Sequence, residues 1–235
     1  MDKEKHVLVI FPHPDDEAFG VSGTIASYTR AGIPVTYACL TLGEMGRNLG
    51  NPPFATRESL PKIRKKELID AAQIMGIKDL RMMGLRDKTV EFENEEWLAN
   101  QMTKLIDELQ PSLIITFYPG FSVHPDHEAT GRAVVRAVSE IEPAKRPKLH
   151  CVAFSNNHQD VLGQPDVVNN IQDVIEIKLK AISAHRSQTE AMMAGWPELL
   201  AQKNKELESR LFFERFYQYK CRKKFKRIHF KLSYM

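Results

Sequence analysis

Short apolar runs recur along this chain in alternation with helical patterns, and that alternation constrains the fold more than any other feature. Residues 6–11 (HVLVIF) form a continuous apolar run, as expected of a parallel strand buried on both faces. Further runs at 35–41 (VTYACLT), 80–85, 113–118 (LIITFY) and 149–154 predict more strands, with 174–177 as an additional one. Between them, helical spacing covers residues 16–30, 61–75, 95–109, 125–140, 177–188 and 197–211. Gly32 with Pro34, Gly76, and Gln110 before Pro111 supply the stops. Strands alternating with helices predict an α/β, Rossmann-like fold: a mainly parallel sheet with helices on both faces. Residues 42–60, rich in Gly, Pro and Asn, read as a long loop, which inside a compact domain is usually functional.

At 235 residues the chain suits one domain. No apolar run approaches the roughly 18 residues of a membrane span, so no membrane association is expected. The acid-bearing start, Asp2 to Lys5, does not read as a signal peptide. Cys39, Cys151 and Cys221 are too scattered for a disulfide framework or a thiolate zinc motif, and two of them sit in apolar runs. A reducing, cytoplasmic setting follows as an expectation. The net charge of +3 is unevenly spread. Beyond Glu214 there is no acid and eight bases, which leaves 25 bases against 30 acids in the body. Residues 1–219 therefore read as one domain and 220–235 as a basic tail. A basic stretch interleaved with Phe225, His229 and Phe230 has the composition of a nucleic-acid contact, but short basic motifs have a high false-positive rate. A solvated, disordered or non-native extension is the preferred reading, with no nucleic-acid partner.

Chemistry concentrates at two strand ends. His13-Pro14-Asp15-Asp16 follows the first run directly, and His124-Pro125-Asp126-His127 follows LIITFY. Ligand sites of open parallel sheets form beyond the carboxyl ends of strands, where both motifs fall. Helix capping explains one aspartate of the first motif but not its partner or His13. His124 and His127, three apart, project to one side of a helical first turn. Two matching His-Pro-Asp junctions point to a shared metal site. Two imidazoles and a carboxylate with one position open match catalytic zinc, while the same set also describes non-haem ferrous iron.

These residues resemble the PIG-L/LmbE-like zinc-dependent deacetylases, which act on N-acetylglucosamine conjugates. The likeness runs through HPDDEAFGVSGTIA, IRKKEL, HPDHEATG and KLKAISAHRSQ, over most of residues 5–219. Within the family it looks closest to the bacillithiol biosynthesis deacetylases, which act on the glucosaminyl-malate intermediate. The resemblance implies Zn2+ held by His13, Asp16 and His127, with Fe2+ in the cell left open by the ligand set itself. It implies Asp15 as general base, His124 as the protonated group that stabilises the oxyanion, and Asp126 as a carboxylate that orients a neighbouring imidazole. It further implies a small-molecule N-acetyl sugar conjugate as substrate and a homo-oligomer, commonly a hexamer.

Arg64 matches a family arginine that reaches the sugar and its acidic appendage, although a solvated helix face beside Lys62, Lys65 and Lys66 explains it too. Arg57, in the long loop, is a second candidate for a malate-like carboxylate. Glu44 and Asn48 should edge the pocket beyond VTYACLT, with turn chemistry as the other account of Asn48. His185 reads as packing. Three other readings stand beside the deacetylase: a metal- or sugar-binding protein without turnover, a deacetylase of a different N-acetyl conjugate, and a metal phosphohydrolase. Two-metal phosphohydrolases usually need more carboxylates than these motifs offer.

Overall fold

In the computed structural model, which describes residues 3–221, the apolar runs become strands of one seven-stranded sheet. β1 (Val7–Phe11), β2 (Val35–Thr41), β3 (Asp79–Leu85), β4 (Leu113–Phe117) and β5 (Lys148–Val152) are paired in parallel. β6 (Val167–Asn170) and β7 (Phe213–Gln218) add an antiparallel edge, so the order is β3-β2-β1-β4-β5-β7-β6. The helices are α1 (Asp16–Gly20), α2 (Ser22–Arg30), α3 (Leu60–Ile74), α4 (Glu95–Leu109), α5 (Pro125–Glu140), α6 (His158–Leu162), α7 (Ile175–Ala184), α8 (Arg186–Met193), α9 (Trp196–Ala201) and α10 (Lys205–Phe212). Among the described residues no helix is long and apolar enough to cross a membrane. The basic tail lies outside the described residues from 222 onward.

Period-two alternation divides the strands between two cores. Val7, Val9 and Phe11 pack on one face with residues of α2, α3 and α7, while Leu8 and Ile10 face α4 and α5. Both faces are therefore covered, which is why β1, β2 and β4 read as unbroken apolar runs. Strand order reverses at β1, flanked by β2 on one side and β4 on the other. Such a switch point opens a crevice at the carboxyl ends, and the two His-Pro-Asp motifs follow β1 and β4 there.

Gly131 of α5 lets this helix approach the end of β4, because a Cβ there would lie 2.6 Å from the carbonyl oxygen of Phe117. Gly131→Ala is expected to destabilise the fold by about 1–3 kcal/mol through overpacking, measured by urea unfolding. An unchanged midpoint would show that α5 shifts freely.

Several expectations need correction. The single helices expected at 177–188 and 197–211 each break in two, the first at His185 between α7 and α8, the second at residues 202–204 between α9 and α10. Residues 16–30 do not form one helix: the chain breaks at Val21, where the Glu214 carboxylate accepts from Gly23 N–H (2.9 Å) and Thr24 N–H (2.7 Å) and so starts α2 afresh. Residues 174–177 are not a strand but the entry to α7, since a short apolar run cannot by periodicity alone be told from a buried helical segment. Finally, β6 and β7 escape notice because polar residues such as the buried Glu214 interrupt their pattern.

Candidate metal centre and active site

The turn after β1 delivers His13, Asp15 and Asp16, and the start of α5 delivers His124, Asp126 and His127. His13 Nδ1 lies 3.1 Å from His127 Nε2 and 3.5 Å from an Asp16 oxygen, and His127 Nε2 is 3.2 Å from the other Asp16 oxygen. Edges of this length suit a tetrahedral ion with bonds near 2.0–2.1 Å, which separates its ligands by roughly 3.4 Å. The tautomers agree. His13 Nε2 faces Asp126 Oδ2 at 3.1 Å and Asp87 Oδ1 at 3.1 Å, so its proton belongs there and Nδ1 is left bare. His127 Nδ1 faces the Ser122 carbonyl at 3.2 Å, which leaves Nε2 bare as well. Two lone pairs and a carboxylate pointing together repel unless a cation lies between them. Without a metal, a proton must take that place. Burial disfavours a charged His13, but Asp126, Asp16 and Asp87 outweigh it and hold its pKa well above the ordinary imidazole value. Burial likewise opposes ionisation of Asp16, yet His127 and His13 hold it well below the usual carboxylate range.

The rings are rigidly seated. His127 stacks on Phe117, with centroids 4.0 Å apart and planes at 17°. Asp126, fully buried, accepts from Lys88 N–H (2.7 Å) and Glu91 N–H (3.3 Å), and this joins α5 to the turn beyond β3. That turn also supplies Asp87, a second carboxylate on His13. Burial pushes both acids up, but His13 holds them below the ordinary carboxylate range. Sequence reasoning missed Asp87, although its place just past a parallel strand was a usable signal.

His124 caps α5: its Nδ1 accepts the Asp126 N–H at 3.1 Å. With Nδ1 accepting, Nε2 is the nitrogen that carries hydrogen, and burial with its neighbours His13 and His127 pushes the pKa below the ordinary value. This favours a neutral ring over the protonated one that the resemblance implies. Val123 precedes it at φ 63, a conformation costly for a β-branched residue. A donor atom of His124 lies within 4.8 Å of those of His13 and His127.

Asp15 adopts φ 99, ψ −26, a left-handed conformation that costs a non-glycine residue about 1–3 kcal/mol. Burial pushes its carboxyl up to about 6, with Arg64 pulling the other way. Arg64 itself is buried. Its guanidinium donates to Asp15 Oδ2 (2.9 Å), to the Gly43 carbonyl (3.0 Å) and to the Pro14 carbonyl. Gly43, at φ 62, leaves room for it, since a Cβ there would sit 1.8 Å from Arg64 Nη1.

The other residues expected at the substrate also engage the protein. Glu44 Oε2 accepts the Asp87 N–H at 3.0 Å, and Arg57 donates to the Gly46 carbonyl at 2.7 Å. Asn48 and Gln188 each donate to the other's carbonyl at 2.8 Å, tying the long loop to α8. His185 is fully buried, as packing requires, but its Nε2 also meets Glu17 Oε1 at 2.6 Å.

A doubly wound α/β domain with an imidazole–carboxylate cluster at its switch point defines the class. A family model described as GlcNAc-PI de-N-acetylase, or PIG-L, matches residues 8–138. Over 217 residues the chain is 56% identical to "Probable N-acetyl-alpha-D-glucosaminyl L-malate deacetylase 2" of Bacillus cereus, covering 92% of this chain and 99% of the relative. It is 31% identical to the diacetylchitobiose deacetylase of Thermococcus kodakarensis over 192 residues, 78% of this chain and 70% of the relative. The solved N,N'-diacetylchitobiose deacetylase from Pyrococcus horikoshii, complexed with an inhibitor, superposes with a TM-score of 0.69 at 26% identity, covering 92% of this chain and 84% of that one. The chain belongs to the PIG-L family.

Proposed function

We propose that this chain hydrolyses the acetamide of N-acetyl-α-D-glucosaminyl L-malate, the step of bacillithiol biosynthesis that frees the glucosamine nitrogen. That it is an enzyme removing an acetyl group from an N-acetylglucosamine conjugate follows from its family and from relatives at 55–57% identity bearing that name. The convergence of His13 Nδ1, His127 Nε2 and the two Asp16 carboxylate oxygens, at 3.1–3.5 Å, carries the assignment of roles, with Asp15 next to Asp16 in the same turn. His13, Asp16 and His127 would hold the metal. Zinc fits two imidazoles and one carboxylate best, with ferrous iron as the other fit. A bound divalent ion supplies Lewis acidity and lowers the pKa of water. Asp15 accepts the proton of the attacking water, and Arg64 keeps its carboxylate aimed. His124 donates Nε2–H to the oxygen on which negative charge develops, and it does so as a neutral ring. Asp126 and Asp87 hold His13 in the tautomer that presents Nδ1. The products are acetate and the free amine. Free Cys39, Cys151 and Cys221 support a cytoplasmic setting.

Treatment with a chelator is expected to abolish acetate release, and zinc to restore it. Among N-acetylglucosaminyl malate, N-acetylglucosamine and diacetylchitobiose, the malate conjugate should give the highest kcat/KM. Acetate release that is fastest from diacetylchitobiose would overturn the substrate assignment, and full activity after chelation would overturn the metal.

A further inference from the structure

We propose that Glu17 is a positioning residue for Asp15: its buried carboxylate, braced by His185 and Tyr37, holds the left-handed turn from which Asp15 faces the site. The inference rests on the reading of Asp15 as the base. Glu17 is fully buried and meets three donors. One is the Asp15 N–H itself, 3.1 Å from Glu17 Oε2. The same oxygen accepts the Tyr37 hydroxyl at 3.0 Å, and His185 Nε2 contacts Oε1 at 2.6 Å. The Tyr37 hydroxyl also lies 3.2 Å from the His13 carbonyl, so its one proton is shared between the carbonyl that opens the His-Pro-Asp turn and the Glu17 carboxylate just beyond it.

Asp15 sits at φ 99, and L residues other than glycine hold such a conformation only where surroundings enforce it. Its two polar ends are each held. Glu17 takes the backbone N–H, and Arg64 takes the side-chain carboxylate. His185 braces Glu17 from the junction of α7 and α8, across 168 residues of chain. Its Nδ1 is buried and meets no hydrogen-bond partner among the described residues. Filling space alone does not require a polar side chain at this buried place, whereas an Nε2 donor to Glu17 does. Glu17 has no access to solvent and hence none to substrate, so it acts through the groups it holds: Asp15 directly, and the His13 carbonyl by way of Tyr37, for which metal content is the control.

The test is a double-mutant cycle on the zinc-loaded full chain, with kcat, KM, metal content and unfolding midpoint measured for Glu17→Gln, Asp15→Asn and the double variant. Glu17→Gln is expected to lower kcat at least about tenfold, since small misplacements of reacting groups cost rates of this order. KM should stay within about twofold and the metal content unchanged. In the Asp15→Asn background the same substitution should lower the residual rate no further, because the group it positions is gone. An equal loss in both backgrounds, a loss that tracks metal content or unfolding, or wild-type kcat in Glu17→Gln overturns the proposal. Wild-type turnover in Asp15→Asn alone defeats instead the reading of Asp15 as base. Should Glu17→Gln not fold, Tyr37→Phe, which removes one donor, runs the same cycle with the same pattern and a smaller factor.

Discussion

Asp15→Asn is expected to lower kcat for acetate release by about 10²–10⁴-fold, the range a positioned general base supplies. The substitution is close to isosteric, and its side-chain oxygen can still accept from Arg64 Nη2, now 2.9 Å from Asp15 Oδ2. Asparagine also tolerates the left-handed backbone of this position at least as well as aspartate. The three metal-facing groups should therefore keep their places, while loss of the charged partner of buried Arg64 lowers stability modestly. Zinc content serves as the control, with the unfolding midpoint checking that the variant is folded at the assay temperature. What is removed is the capacity to take up a proton beside the cluster. A variant retaining wild-type turnover with its metal in place would eliminate Asp15 as the base and with it the hydrolytic roles assigned above.

Glu214→Ala should destabilise the fold by about 3–5 kcal/mol, the usual penalty for removing one partner of a buried ion pair. Glu214 is 2% and Lys178 1% exposed, and their Oε1 to Nζ distance is 2.8 Å. The same carboxylate takes the Gly23 and Thr24 N–H groups at the start of α2, so alanine orphans an ammonium and two amides together. For a chain of this size the loss amounts to a fall of roughly 6–20 °C in Tm. The double variant Lys178→Met with Glu214→Gln should recover part of it, because no buried charge is then left unpaired. A Glu214→Ala protein that unfolds at the wild-type temperature would show that this tie between α2, α7 and β7 is dispensable.

Much of the architecture was legible because the signals are local. The runs in β1, β2 and β4 are apolar throughout since each strand is covered on both faces, and α4 keeps the expected bounds because Asn94 caps its start and Gln110, at φ 45 before Pro111, ends it. The antiparallel edge was not legible. β7 carries Glu214 inward, and what makes that residue welcome is Lys178, 36 residues earlier in the chain.

The metal-type cluster divides in the same way. Two His-Pro-Asp motifs after two strands were enough for the sequence to determine a site beyond β1 and β4, its residue types and its kinship. Which atom faces which was decided only by the tertiary structure. Asp126 meets His13 across 113 residues, Glu17 meets His185 across 168, and Asp87 arrives from a turn that carries no motif. Arg64, a candidate substrate contact by sequence, is found against Asp15, a pairing its place in the sequence did not indicate. Periodicity and turn chemistry act over a few residues, and so they leave a trace in the letters. The partner of a buried charge is chosen by chain closure over a hundred residues and more, and only the packed sheet brings those segments together.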